Sequence, residues 1–118
     1  MFLTSLEISQ LVAKTIDDKK GEEIRGIYIR DLTVISDYFV IAKALNNTHA
    51  RSVADEVEYQ LKEKGIEKDG MDGYQTEWIL LDYGNVMVHI FYGESGGYEN
   101  LCRLWADGKD VDLLENRQ

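Results

Sequence analysis

The chain is predicted to fold as one α/β domain in which amphipathic helices cover one face of a β-sheet. Three observations predict this. Two segments carry apolar residues at helical spacing, Ile8, Leu11, Val12, Ile16 and then Ala50, Val53, Ala54, Val57, Leu61. Four runs, 24–30, 37–42, 78–83 and 86–91, are rich in β-branched and aromatic residues. Finally, 118 residues without an internal repeat or interdomain linker is the size of one domain, spanning 1–118, which can bury roughly two thirds of its unfolded surface.

The elements follow in order. Thr4 can cap the first helix while Glu7, three residues on, closes a capping box, with Leu3 and Ile8 as its hydrophobic staple. Lys19 and Lys20 suit the negative end of the helix dipole and Gly21 supplies a left-handed stop, so the helix is placed at 5–20. Two strands follow, at 24–30 and 37–42. Asn46, Asn47 and Thr48 are turn and cap chemistry ahead of a second helix that ends at Lys64 and Gly65. Residues 68–73 read as a polar loop. Gly84 and Asn85 are a two-residue hairpin signal between the last two apolar runs. Beyond a glycine-containing loop at 93–97, a short helix runs through Leu101, Leu104 and Trp105, and the acidic tail after it is expected to fray.

With Gly84 and Asn85 as the turn, Tyr83 pairs with Val86, Leu81 with Val88 and Ile79 with Ile90, a wholly apolar or aromatic face. The opposite face carries Asp82 with Met87, Leu80 with His89 and Trp78 with Phe91, because side chains alternate along a strand. Two arrangements are open for this mixed face. It is a protein-binding patch with aromatic anchors, or the last helix folds back over it and makes Trp78 and Phe91 ordinary core.

Thirteen basic against twenty-two acidic residues give a net charge of −9, which disfavours a broad phosphate-neutralising surface and either suits a basic protein partner or only keeps the chain soluble. No apolar run is long enough for a bilayer, the N-terminus lacks signal-peptide organisation, and the expected location is the cytoplasm. The single cysteine, Cys102, excludes an internal disulfide and a thiolate zinc cluster. Neither phosphate-binding glycine motif is present, and Gly93, Gly96 and Gly97 lie in a loop. His49 is expected to be exposed at the start of the second helix, and His89 reads as a hydrogen-bonded structural residue. Asp31 and Asp37 lack the spacing of a two-metal site. The expectation is no catalytic residue, no metal, no cofactor and no enzyme activity.

The run Asp17-Asp18-Lys19-Lys20, then Ser36-Asp37-Tyr38-Phe39-Val40-Ile41, then residues 78–91 from Trp78 to Phe91, and finally Leu104-Trp105, resembles the ribosomal silencing factor (Iojap-like) family in order and spacing. The resemblance covers almost the whole chain. It implies a mixed-sheet α/β domain similar to a nucleotidyltransferase core but without its catalytic centre. It also implies binding to the large ribosomal subunit through its fourteenth ribosomal protein, which blocks joining with the small subunit and lowers translation, particularly when nutrients are scarce. The implied contact residues are Asp37 and Tyr38 from the strand motif, and Trp78, Leu80, Asp82, His89 and Phe91 from the hairpin. The departures are Gly96, Glu99 and Cys102, where the family commonly has an arginine, an aromatic and a glutamate. Competing readings are an assembly role on the large subunit, a residual nucleotidyltransferase-like enzyme, and a homodimer that buries the mixed face.

Overall fold

The computed structural model describes residues 3–73, 77–94 and 96–114. Its first helix, α1 (Ser5–Asp18), opens on the expected capping box. The Glu7 N–H donates to Thr4 Oγ1 at 3.1 Å and the Thr4 N–H donates to Glu7 Oε1 at 2.8 Å. The end of the helix differs from the expectation. Lys20, not Gly21, is the left-handed residue, with φ 69°. The Gly21 N–H bonds the Ile16 carbonyl at 2.8 Å and the Lys20 N–H bonds that of Asp17 at 3.0 Å, the Schellman pairing, with Gly21 one position later than predicted. Glycine is needed there for room, since a Cβ on Gly21 would lie 2.2 Å from Ile16 Cγ2.

Strand β1 (Glu22–Tyr28) pairs antiparallel with β2 (Tyr38–Lys43), with an irregularity between Glu22 and Arg25 where Glu23 takes φ 50°. The chain then crosses through α2 (Asn47–Lys62), which Asn46 caps by accepting the His49 N–H at 2.8 Å. The predicted loop at 68–73 contains a strand, β3 (Gly70–Asp72), paired antiparallel with β4 (Trp78–Asp82). Its polar sequence hid it: an edge strand faces solvent on one side and needs no apolar alternation. Strand β5 (Val86–Phe91) completes the hairpin with β4 and runs parallel to β2, with Tyr38 beside Val86 and Lys43 beside Phe91. That parallel pair makes the sheet mixed, as the resemblance implied.

After α3 (Gly97–Leu104) the described part of the tail does not fray. Residues Lys109–Val111 form β6, antiparallel to β1, and Leu113 is buried in the core. The clues were steric. Leu113 Cδ1 sits 2.5 Å from where a Cβ on Gly26 would be, and a Cβ on Gly108 would lie equally close to Ile27 Cγ2. Arg25 Nε also bonds Asp110 Oδ1 at 2.8 Å.

The strand order is β3-β4-β5-β2-β1-β6. On one face α1 and α2 enclose the larger core, in which Val12, Ile16, Val53, Val57 and Leu61 meet Val40, Ile79, Leu81, Val88 and Ile90. On the other, Cys102 of α3 joins Ile27, Ile29, Phe39, Ile41 and Phe91, with Tyr98, Leu101 and Trp105 packed against them.

The α1 terminus yields a stability test by urea unfolding. Replacing Lys20 by Gly relieves a left-handed Cβ and is expected to stabilise the chain by about 0.5–1 kcal/mol. Gly21→Ala forces a methyl into Ile16 and is expected to destabilise by about 1–3 kcal/mol.

A candidate interaction face on the β4–β5 hairpin

The hairpin register is the predicted one: Trp78 opposes Phe91, Ile79 Ile90, Leu80 His89, Leu81 Val88 and Asp82 Met87. The left-handed Gly84, φ 81°, makes the turn, and Asp82 Oδ1 accepts the Gly84 N–H at 2.8 Å, while the Tyr83 N–H donates to the Val86 carbonyl at 2.9 Å. Ile79, Leu81, Val88 and Ile90 therefore enter the larger core. Trp78, Leu80, Asp82, Met87, His89 and Phe91 share the other face.

Both arrangements that the sequence left open are partly realised on this face. Helix α3 covers its inner half, leaving Phe91 4% and His89 3% exposed, whereas Trp78 on the outer strand remains 42% exposed. Leu80, Asp82 and Met87 are half-buried. A shallow concavity of roughly 210 Å³ is lined by Asp72, Gly73, Trp78 and Leu80.

Trp78 is held from beneath. Its ring stacks on Phe91 at 5.3 Å and 22°, and its indole Nε1–H donates to His89 Nδ1 at 3.1 Å. His89 packs against Phe39 at 4.5 Å, and Phe39 meets Trp105 edge-on at 5.2 Å. Phe91 meets Tyr98 edge-on at 6.2 Å. The Tyr98 hydroxyl donates to the Glu23 carbonyl at 2.5 Å, and Lys43 Nζ lies 4.8 Å from the centre of its ring.

His89 is neutral for a physical reason. Burial penalises the imidazolium and pushes its pKa down to about 3. Because an indole N–H can only donate, Nδ1 must be the bare nitrogen and the proton resides on Nε2. That Nε2 has no hydrogen-bond partner among the described residues.

The other two predicted contact residues lie elsewhere. Asp37 stands at the entrance to β2, where Oδ2 accepts from the Ser5 hydroxyl at 2.6 Å and Oδ1 from Arg30 Nη1 at 2.6 Å. The Ser5 hydrogen bond, then the Arg30 guanidinium, hold its carboxyl below the usual range. Asn85 Nδ2 donates to the same Ser5 hydroxyl at 3.0 Å, so this aspartate ties α1 to the hairpin turn. Tyr38 packs on the helix-covered face and against Tyr28 at 5.1 Å. The strand motif and the hairpin face are therefore not one patch.

The three departures are accommodated within the fold. Gly96 has φ 79° as the residue before α3, Cys102 is buried in the smaller core, and Glu99 accepts from Lys43 Nζ at 2.6 Å. Lys43 also lies 3.2 Å from Glu23. The sequence reading missed Lys43, Tyr98 and Glu99 as supports of the face, because no local pattern announces that α3 crosses β2. His49 was expected to be exposed; it is only partly so. Its Nδ1 accepts the Leu45 N–H at 2.9 Å and its Nε2 lies 2.7 Å from the Lys19 carbonyl, which joins the end of α1 to the start of α2.

Among the described residues, no three His, Cys, Asp or Glu side chains gather into a group able to hold a metal ion. Nor, among them, is any helix long and apolar enough to cross a membrane.

Comparison with known proteins adds a family. The model of "Ribosomal silencing factor during starvation" matches residues 3–118. A ribosomal silencing factor of Halalkalibacterium halodurans is 33% identical over 112 residues, covering 94% of this chain and 96% of that protein. One from Bacillus subtilis is 33% identical over 107 residues, covering 90% and 91%. A crystal structure of a Chromobacterium violaceum protein superimposes with a TM-score of 0.83 at 29% identity, covering 93% of this chain and 92% of that one.

Neutral burial of His89 has a pH signature. The unfolded chain takes up a proton near the ordinary value of 6.5, whereas the folded ring resists until about 3, so this group's contribution falls as the solution is acidified through that window. Urea unfolding at several pH values between these limits, compared with His89→Asn, is expected to show an extra loss in the unaltered chain of about 1.4 kcal/mol per pH unit. Equal slopes in the two proteins would mean that His89 is readily protonated in the fold.

Proposed function

We propose a function from the premise that this chain belongs to the ribosomal silencing factor family: it is a ribosome-associated translational regulator that acts by binding and not by catalysis. In finer detail, it docks on the large subunit through the fourteenth ribosomal protein, on the surface that the small subunit also needs. Subunit joining fails by steric exclusion, with no bond made or broken. The hairpin face is the contact surface, with Trp78 as its anchor, Leu80 beside it and Asp82 turned towards basic groups of the partner.

The observation that carries this reading is the state of Trp78. A large aromatic ring is 42% exposed and yet held by a stack and a hydrogen bond. A ring ordered in advance loses little entropy on docking, and buried tryptophans dominate protein interfaces. The net charge of −9 suits a basic ribosomal protein. The enzyme alternative is disfavoured by Asp37, since both of its oxygens are committed to Ser5 and Arg30. A second copy of this chain meeting the same face would compete with the ribosome, so self-association and repression oppose each other.

Co-sedimentation with purified large subunits, small subunits and joined ribosomes tests the proposal. Selective binding to large subunits and a falling yield of joined particles as protein is added are expected. Trp78→Ala, folded by circular dichroism, is expected to weaken that binding by about 30-fold, the equivalent of about 2 kcal/mol at an interface anchor. Undiminished binding by that variant would remove Trp78 from the contact, and absence of binding by the unaltered chain would overturn the functional reading.

A further inference from the structure

The hairpin face contains a buried polar group beneath its exposed ring. His89 is almost wholly enclosed, and the one hydrogen bond of its side chain among the described residues runs upward from the indole of Trp78 at 3.1 Å. Its ring is tilted 30° to Trp78 at 5.7 Å and is nearly parallel to Phe91, at 9°. A phenyl ring would serve stacking alone. The acceptor nitrogen adds a direction, because an indole has one N–H and its bond fixes rotation within the ring plane.

We propose that His89 is a positioning residue for the interface: its bare Nδ1 fixes the plane and rotation of Trp78 and withdraws the indole N–H from any partner, so that the partner meets Trp78 by its ring surface alone. This rests on the hairpin face being the contact surface, as proposed above. The chemistry sought on the partner is accordingly an apolar stem or a guanidinium laid flat on the ring, a match for a basic ribosomal protein, and not a carbonyl or carboxylate aimed at the indole nitrogen. The burial that keeps the ring neutral also keeps Nδ1 available as an acceptor across the physiological range.

The experiment uses the full chain with His89→Phe, which keeps a stacked ring and removes the acceptor, and with His89→Asn, whose side-chain oxygen can stand near the Nδ1 position. His89→Leu replaces the first variant should it fail to fold. Solvent exchange of the Trp78 indole proton is followed by NMR, with the signal separated from that of Trp105 by Trp78→Phe, and binding to purified large subunits is measured alongside. The expected result is an indole proton that exchanges at least about tenfold faster in His89→Phe, with affinity lowered about five- to tenfold, as for loss of one oriented hydrogen bond. His89→Asn is expected to restore both. A folded His89→Phe chain with unchanged exchange or unchanged binding would overturn the proposal, as would failure of His89→Asn to rescue. If the unaltered chain did not bind large subunits, the functional reading would fail, and the positioning role would be decided by the exchange rates alone.

Discussion

The structure depends on the register of one hairpin. Gly84 adopts a left-handed conformation that a residue with a Cβ rarely takes, Asp82 accepts its N–H, and every pair from Asp82–Met87 to Trp78–Phe91 follows. A slip by one residue would exchange the two faces, exposing Ile79, Leu81, Val88 and Ile90 and driving Asp82 into the core. The helices make such a slip prohibitive, because α1 and α2 present an apolar surface that only the first set can satisfy. The same constraint that builds the core therefore also gathers Trp78, Leu80 and Asp82 at the accessible edge of the opposite face.

That opposite face is divided by α3. The helix is short, and side-chain ties fasten it: Glu99 to Lys43, Tyr98 to the Glu23 carbonyl, and Cys102 inserted among Ile27, Phe39 and Phe91. Under α3 the rings of Trp105, Phe39, His89, Tyr98 and Phe91 form a layer of contacts that reaches Trp78. The support for the exposed ring is thus drawn from β2, β5 and α3 together, which is why residues remote in sequence bear on one indole. Glu99 and Cys102 sit within these ties.

Asp37 illustrates how a motif residue can acquire an architectural task. Its carboxylate joins the first turn of α1, through Ser5, to Arg30, and Ser5 in turn receives Asn85 from the hairpin turn. Three segments distant in the chain meet there on short hydrogen bonds. The interaction anchors the end of the sheet from which both β2 and β5 depart in parallel, so the Ser-Asp-Tyr-Phe-Val segment organises the hairpin without sharing its exposed face.

Local chemistry by itself determined much of this protein. The capping box at Thr4, the apolar stripes of both long helices and the turn at Gly84-Asn85 are each specified by residues a few positions apart, and so is the division of hairpin side chains between two faces. What only the tertiary structure decided involves residues far apart in the chain. The edge strands β3 and β6 carry no apolar alternation and exist because β4 and β1 offer unpaired backbone. The fate of Trp78 and Phe91 differed although they are cross-strand partners, because Tyr98 and Cys102 of α3 pack on Phe91 while Trp78 on the neighbouring strand stays 42% exposed. Tyr38 and Asp37 were separated from the hairpin face by strand parity and by the Ser5 and Arg30 bonds. Spacing along a chain dictates which side of an element a residue occupies, but whether that side is covered depends on the path of another element, and that path is set by packing over the whole sheet.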